Sequence, residues 1–351
     1  MFTTPAIGAL RRKFPHARLD YLVEDVAAPV VRHNPHLDTV IEVARPRGVA
    51  RLCYDASLAW RLRRERYDLA IDFHGGPRSA WLVRATGAPR RIGYDIPGRR
   101  FFYSTRVPWH PSLVPPRHSV LNQWDLLTPL GIAPPEPAVN PVEMTPGPEA
   151  RASAAARLVA AGVSTEAPLV VLHVSASNPF RRWPRESFAQ VAAALAREDR
   201  RRRIMITAGP SEADAADAVA DEAARDAGEA AGAIVRCGEP SLEELHVIMT
   251  RAQLFIGGDS GPLHVAATTA VPIVALFGPT LPERSMPWRA RPALAAAVQP
   301  GPLDCRPCHQ RVCVHGDFRC LTTLTPGEVL AAARRVLEAA SWPSPSRTRV
   351  S

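Results

Sequence analysis

No run of eighteen or more apolar residues occurs in this 351-residue chain, which excludes a membrane-spanning helix. The opening Met1-Phe2-Thr3-Thr4-Pro5 has no basic stretch leading into an apolar one, so it offers no secretory signal. A cytoplasmic protein is expected, and in that compartment disulfides are disfavoured. Aromatic residues make up only 6% of the chain, and no zinc finger, RNA-recognition signature or basic helix stands out. Nucleic acid is therefore not an expected partner. No Gly-x-Gly-x-x-Gly follows any strand-like segment, which argues against a dehydrogenase.

What the chain does carry is positive charge, a formal +9 spread along its length. An anionic membrane surface or a phosphorylated glycolipid suits such diffuse charge, as does a simple compositional bias toward arginine. A chain of this length is too long for one ordinary core, and two domains are expected. Strand-like and helix-like pieces alternate in both halves. In the first half, a helix over 5–13, a strand over 19–23, a helix over 25–32, a strand over 39–43, a helix over 58–66, a strand over 68–72 and a helix over 78–86 are expected. A proline-dense stretch over 133–148 reads as a linker. Beyond it, strands over 169–174, 203–207, 234–237, 254–257 and 272–277 alternate with helices, one opened by the capping box Ser241-x-x-Glu244. Such a rhythm is that of parallel sheets with crossover helices. The Ser/Pro/Arg-rich residues 343–351 read as a disordered tail.

The most informative stretch runs Phe255-Ile-Gly-Gly-Asp-Ser-Gly-Pro-Leu-His264, an apolar strand ending in Gly257-Gly258 and followed by a helix. Ligands of open α/β sheets bind at the carboxyl ends of strands, and helix-start N–H groups without intrahelical partners suit a phosphate. Asp259, Ser260, Gly261 and His264 are the candidates; equally, Asp259 could cap the helix and His264 could be a buried core histidine. A second candidate loop runs from His173 to Trp183, with Ser175 and Ser177 as hydroxyl donors and Arg181 and Arg182 as fixed cations. A third is Thr207-Ala-Gly-Pro-Ser-Glu212, whose Glu212 either holds a ribose or favours a helix start. Three such loops on successive strands point to a nucleotide site.

These motifs, together with Ala275-Leu-Phe-Gly-Pro-Thr280, Tyr67-Asp-Leu-Ala-Ile-Asp-Phe-His-Gly75, Arg90-Arg-Ile-Gly-Tyr94 and a cluster of cysteines, resemble glycosyltransferase family 9, the heptosyltransferases. The resemblance covers nearly the whole chain. It implies a GT-B fold of two Rossmann-like doubly wound domains facing across a cleft, residues 1–140 on the acceptor side and 141–342 on the nucleotide-sugar side. It also implies an inverting transfer that needs no cofactor, with ADP-heptose as donor and a lipid A–Kdo or heptosylated core as acceptor of lipopolysaccharide synthesis. The protein would be cytoplasmic or peripheral on the anionic face of the inner membrane. Ser175, Ser177, Arg181, Glu212, Asp259, Ser260, Gly261 and His264 would line the donor site. Arg181 stands where the family usually has a lysine, and Val174-Ser175 where it often has Pro-Gly.

Family members open with a strand and a Gly-Asp loop whose aspartate is the expected catalytic base. Neither is present ahead of Thr4-Pro5, so no catalytic base is named and a start upstream of Met1 is expected. Asp72 and His74, at a strand's carboxyl end, are acceptor-side candidates; Asp72 could instead only cap a turn. Cys305, Cys308, Cys313 and Cys320 have a spacing that could hold structural zinc or iron, or remain reduced thiols. Two further readings stand beside the heptosyltransferase: a transferase of the same fold using another nucleotide sugar, and a nucleotide-sugar-binding protein without activity.

Overall fold

The computed structural model describes residues 1–110, 115–176, 178–209, 212–308 and 312–341. They form two compact units, Met1–Glu143 and a second beginning at Met144. Every paired strand in both units is parallel.

The first unit contains α1 (Thr4–Lys13), β1 (Asp20–Glu24), β2 (Thr39–Val43), α2 (Val49–Arg64), β3 (Leu69–Ile71), α3 (Pro77–Ala85), β4 (Arg90–Tyr94), β5 (Thr105–Val107) and α4 (Ser119–Asp125). β1 pairs with β2, while β3, β4 and β5 form a separate sheet. Two small cores cover them. In one, Leu58 and Leu62 of α2 pack with Val43 and Leu82, and in the other Ile92, Tyr94 and Leu127 pack with Trp124 of α4 and with Ala6 and Ala9 of α1. The helix expected over 25–32 is a 3-10 turn, Asp25–Val30, because Pro29 lies inside it and has no N–H for an α-helical bond. α2 begins well before the expected residue 58. Its first turns turn few apolar residues inward, which leaves no inward-facing pattern to read there.

The second unit contains α5 (Pro148–Ala160), β6 (Leu169–His173), α6 (Arg185–Glu198), β7 (Arg203–Thr207), α7 (Ala213–Ala227), β8 (Ile234–Arg236), α8 (Leu242–Arg251), β9 (Ala252–Gly258), α9 (Gly261–Ala266), β10 (Ile273–Leu276), α10 (Pro282–Ser285), β11 (Ala295–Val298), α11 (Arg319–Thr322) and α12 (Pro326–Ser341). Its six strands lie in the order β11-β10-β9-β6-β7-β8. That is the doubly wound Rossmann order, with its reversal between β6 and β9. β6 and β10 are buried along their whole length, so they read as continuous apolar runs rather than alternating ones. The capping box at Ser241 forms as read: the Ser241 hydroxyl accepts from the Glu244 N–H, and Glu244 Oε2 accepts from the Ser241 N–H at 2.7 Å. Glu244 also accepts from Ser153 and Arg157 of α5. Burial pushes its carboxyl up, but these donors outweigh that and hold it at about 2.

Arg289 is the largest fully buried side chain among the described residues. No carboxylate pairs with it among the described residues; its guanidinium donates to the carbonyls of Val271 (2.7 Å), Thr269 (2.9 Å) and Leu294 (3.4 Å). It thereby ties the turn between α9 and β10 to the segment entering β11. Burial pushes the guanidinium down to about 10.

Candidate functional site

The loops after β6, β7 and β9 leave adjacent carboxyl ends of the second sheet, and two of them flank the strand-order reversal. Each is fixed by its own residues. After β6, Trp183 is buried, packs edge-on against Phe188 with ring centres 4.9 Å apart, and donates its indole N–H to the Leu324 carbonyl. The preceding short turn, Pro179–Arg181, is thus held against the sheet. At the end of β9, Gly258 makes room for it: a Cβ there would lie 3.2 Å from the Arg181 carbonyl oxygen.

The result brings Arg181 Nη1 to 3.8 Å from Asp259 Oδ2, across the reversal. His264 Nε2 stands 3.6 Å from the other oxygen of the same carboxylate. Asp259 is 7% exposed, and burial alone would raise its carboxyl. The His264 ring, the Thr280 hydroxyl and the Arg181 guanidinium outweigh burial and hold it below the usual carboxylate range. Among the buried polar atoms here without a hydrogen-bond partner are the Ser260 hydroxyl oxygen and Arg181 Nε. Unpaired buried polar groups cost free energy, and a polar ligand would satisfy them. Asp259 directly precedes the N-cap of α9, Ser260, whose own side chain makes no capping bond.

The other two loops are stitched together by a chain of hydrogen bonds. The Thr207 hydroxyl donates to the Leu172 carbonyl, so its oxygen accepts the His173 Nδ1–H at 3.1 Å. The neutral ring then accepts the Ser175 hydroxyl at Nε2, also at 3.1 Å, and Ser175 in turn accepts the Gly209 N–H at 2.6 Å. Ser175 therefore spends its one hydrogen inside the protein, and its place is that of a staple between loops rather than a ligand donor. Ser177 lies outside the described residues. Arg182 donates from Nε to the Ala176 carbonyl and forms an ion pair with Glu212. Glu212 thus sits at the start of α7 with one oxygen held by a cation.

Burial without a counter-charge pushes His173 down to about 4, and burial does the same to His246 on α8, helped by Arg151. Both are neutral in the folded protein above that pH, whereas in the unfolded chain they protonate near 6.5. The unfolded state therefore binds more protons between pH 6.5 and 4, and stability is lost as pH falls through that window. Together the two should remove several kcal/mol, on the order of 1.4 kcal/mol per unit for each group. Urea melts from pH 7.5 to 4.5 check this, and His246→Gln should flatten the slope by about half. A denaturation midpoint independent of pH over that range would contradict it.

In the first unit, Asp72 follows β3 and is 3% exposed. Its Oδ1 accepts the N–H groups of His74 (3.0 Å) and Gly75 (2.9 Å), and its Oδ2 accepts the hydroxyls of Ser79 (3.0 Å) and Tyr103 (2.7 Å). Gly93, beneath Tyr103, leaves the space that ring occupies, since a Cβ there would meet it at 2.3 Å. With four donors on its carboxylate, Asp72 is the organiser of the 72–76 turn. His74 is the exposed residue that the turn presents.

Cys305, Cys308, Cys313 and Cys320 line one cavity of about 330 Å³ with Phe180, Pro279 and Phe318. Among the described residues, however, no three His, Cys, Asp or Glu side chains are gathered as a metal ion requires. The structural zinc or iron read from the spacing is thus not supported by the placement of the thiols. The segment instead grips the turn after β10. Cys308 donates its N–H to the Pro279 carbonyl, and Arg306 donates to the carbonyls of Gly278 (2.8 Å) and Thr280 (2.7 Å). Arg306 is a positioning residue that sequence reading missed. The only signal for it was its place inside the cysteine cluster.

Residues 56–318 match the family described as glycosyltransferase family 9 (heptosyltransferase). Lipopolysaccharide heptosyltransferase 3 of Escherichia coli is 28% identical over 82% of this chain and 82% of its own length. A glycosyl transferase family 9 structure from Veillonella parvula superposes with a TM-score of 0.78 at 23% identity, covering 96% of this chain and 93% of the other. The E. coli heptosyltransferase WaaC with ADP superposes at 0.67 and 21% identity, covering 97% and 95%. These likenesses are to the GT-B fold, of which the second unit's strand order is one half.

Proposed function

We propose, from the fact that this chain belongs to glycosyltransferase family 9, that it transfers heptose from ADP-heptose to a lipopolysaccharide core acceptor. It is a glycosyltransferase; donor, acceptor and residue roles are the proposal. The observation that carries it is the convergence of Arg181, Asp259, Ser260 and His264 at the reversal of the second sheet, with the Ser260 hydroxyl oxygen and Arg181 Nε buried and unpaired. The matching relatives are heptosyltransferases by name, and one of the solved structures holds ADP.

In this reading the diphosphate lies over the loop Asp259–Gly261. The N–H groups of Ser260 and Gly261, which precede the first intrahelical bond, face its oxygens together with the Ser260 hydroxyl. Arg181 supplies the fixed cation. Transfer is inverting: the sugar–oxygen bond to the diphosphate breaks through an oxocarbenium-like state as the acceptor hydroxyl attacks from the opposite face and gives up its proton to a general base. Negative charge then builds on the leaving diphosphate, where a preoriented guanidinium lowers the barrier without a metal. Asp259 would point Arg181 and His264 rather than touch the phosphates, because a carboxylate there repels them. Glu212, steadied by Arg182, would accept from the ribose hydroxyls. Asp72 is not proposed as the base, since its four donors hold it as a spent acceptor.

Thermal shifts with ADP, UDP and GDP test the donor half. A ligand that binds only the folded state stabilises it by about 2.7 kcal/mol at a hundredfold excess over its dissociation constant. A shift specific to ADP supports the reading, and a preference for UDP or GDP assigns another nucleotide sugar. Binding of ADP without turnover of ADP-heptose on core acceptors would leave a binding protein in place of the enzyme.

A further inference from the structure

The first unit holds a feature that donor binding and transfer do not use. α2 carries two apolar faces. One, with Tyr54, Leu58 and Leu62, packs into the core with Val43 and Leu82. The other carries Val49, Leu52, Cys53, Ala56 and Trp60, at the three- and four-residue spacing that places them along one side of a helix. It is open: Val49 is 75% exposed, Leu52 70% and Trp60 62%, and Cys53 and Ala56 are exposed as well. Single exposed apolar residues are ordinary, but a stripe of them along the outward side of one helix is not.

The charge on this face has one sign. Arg61, Arg63 and Arg64 follow one another around the carboxyl end of the helix, all exposed. Arg64 lies over the Trp60 ring at 4.6 Å. None of the three forms an ion pair with a described carboxylate. Asp55, the one acid on the helix, is held from the core side by Arg78 at 2.5 Å. Glu65, just past its end, is paired with Arg18 at 2.8 Å. The acids near the helix are thus occupied, and the outward face presents apolar groups flanked by unpaired guanidiniums.

We infer that the outward face of α2 docks on an anionic lipid bilayer, with Trp60 at the headgroup level and Arg61, Arg63 and Arg64 on the lipid phosphates. An apolar stripe with an indole at its end and arginines beside it is the composition of a helix lying in the interface plane. The helix keeps its fold without the membrane, because Leu58 and Leu62 already anchor it. Charge complementarity selects lipid phosphate over a neutral protein groove, and the indole gives the depth. The inference rests on the proposed lipid-linked acceptor, which would bring the enzyme to such a surface.

Flotation of the full chain with vesicles of phosphatidylglycerol and phosphatidylcholine, against phosphatidylcholine alone, is the test. Binding is expected only to the anionic vesicles and should weaken with salt. Trp60→Ala with Leu52→Gln, and separately the triple change Arg61→Gln, Arg63→Gln and Arg64→Gln, should each weaken binding by about tenfold or more. Brominated lipid should quench part of the tryptophan emission, and Trp60→Phe should abolish that part. These positions are exposed, so the variants should melt with the parent. Wild-type protein that ignores anionic vesicles, or variants that float as well as it does, overturns the inference. Self-association abolished by the same variants overturns it too, by assigning the face to a second copy. Transfer to a delipidated core oligosaccharide in solution tests the proposed reaction without a bilayer, so the two can fail separately.

Discussion

Replacing Arg181 by Met should lower kcat/KM for ADP-heptose by about 10²–10³-fold, the loss seen when one preorganised group facing a developing negative charge is removed. Arg181 is held by the Trp183 anchor behind it and by the Asp259 carboxylate 3.8 Å away, so it is oriented before the donor arrives. Such preorganisation acts mostly on kcat, because charge on the diphosphate grows as the sugar bond breaks. Arg181→Lys should recover part of the rate, since an ammonium keeps the charge but not the planar fork. Arg181→Met should also leave Asp259 without its guanidinium neighbour. That carboxyl should then rise a little, still held down by His264 and Thr280. Its protonation as pH falls removes a charge that repels the diphosphate, so the fold-loss should shrink at low pH. Steady-state kinetics across pH would check both. An Arg181→Met enzyme within threefold of the parent would remove Arg181 from the donor site.

The second large effect is on stability. Arg289→Met should destabilise the second unit by about 2–4 kcal/mol, through the buried carbonyls of Val271 and Leu294 and the partly buried one of Thr269, which lose their donor. For a unit of this size that is a fall in Tm of roughly 5–15 °C. An opposing effect has to be weighed. The guanidinium pushed down to about 10 shows that the site disfavours charge, and an apolar side chain relieves that cost. The lost bonds outweigh it, because each buried carbonyl left unsatisfied costs on the order of 1–3 kcal/mol. Arg289→Lys should fall between the two, as one ammonium cannot span Thr269, Val271 and Leu294 together. Calorimetry decides it: a Met variant as stable as the parent would make the buried cation a burden that the fold merely tolerates.

Much of the second unit was legible because its inner strands are buried on both faces. Leu169–His173 and Arg203–Thr207 announce themselves as short apolar runs between helices with clear periodicity. β11 did not, since Ala295-Ala-Ala-Val298 carries no β-branched or aromatic weight until its last residue. In the first unit β4 begins with two arginines and β5 is only three residues long, too little for a period of two to register. The donor loops could be placed from their glycines and hydroxyls, but not the direction of each side chain. Ser175 looked like a ligand donor and is a staple, because the ring of His173 two residues back takes its hydrogen. Asp72 read either as an acceptor-side group or as the cap of a turn, and its hydrogen bonds make it the anchor of a turn. Its partner Tyr103 comes from beyond β4, a contact that no local pattern encodes. The cysteines show the opposite failure, a spacing with meaning in metal sites whose thiols line a cavity without converging.

The strand order of the second unit also sets when its site can exist. β6 is made first, yet it finds β9 only after two complete strand–helix units have been added between them. Arg181 and Asp259 therefore stay apart on a chain emerging from the ribosome until β9 is released and threads in beside β6. Pairings so distant in sequence pay loop closure before they gain contact, and they come late and slowly in folding. A nucleotide that grips both loops would act on that last step, as a clasp on the newly made enzyme rather than a passenger in a finished one.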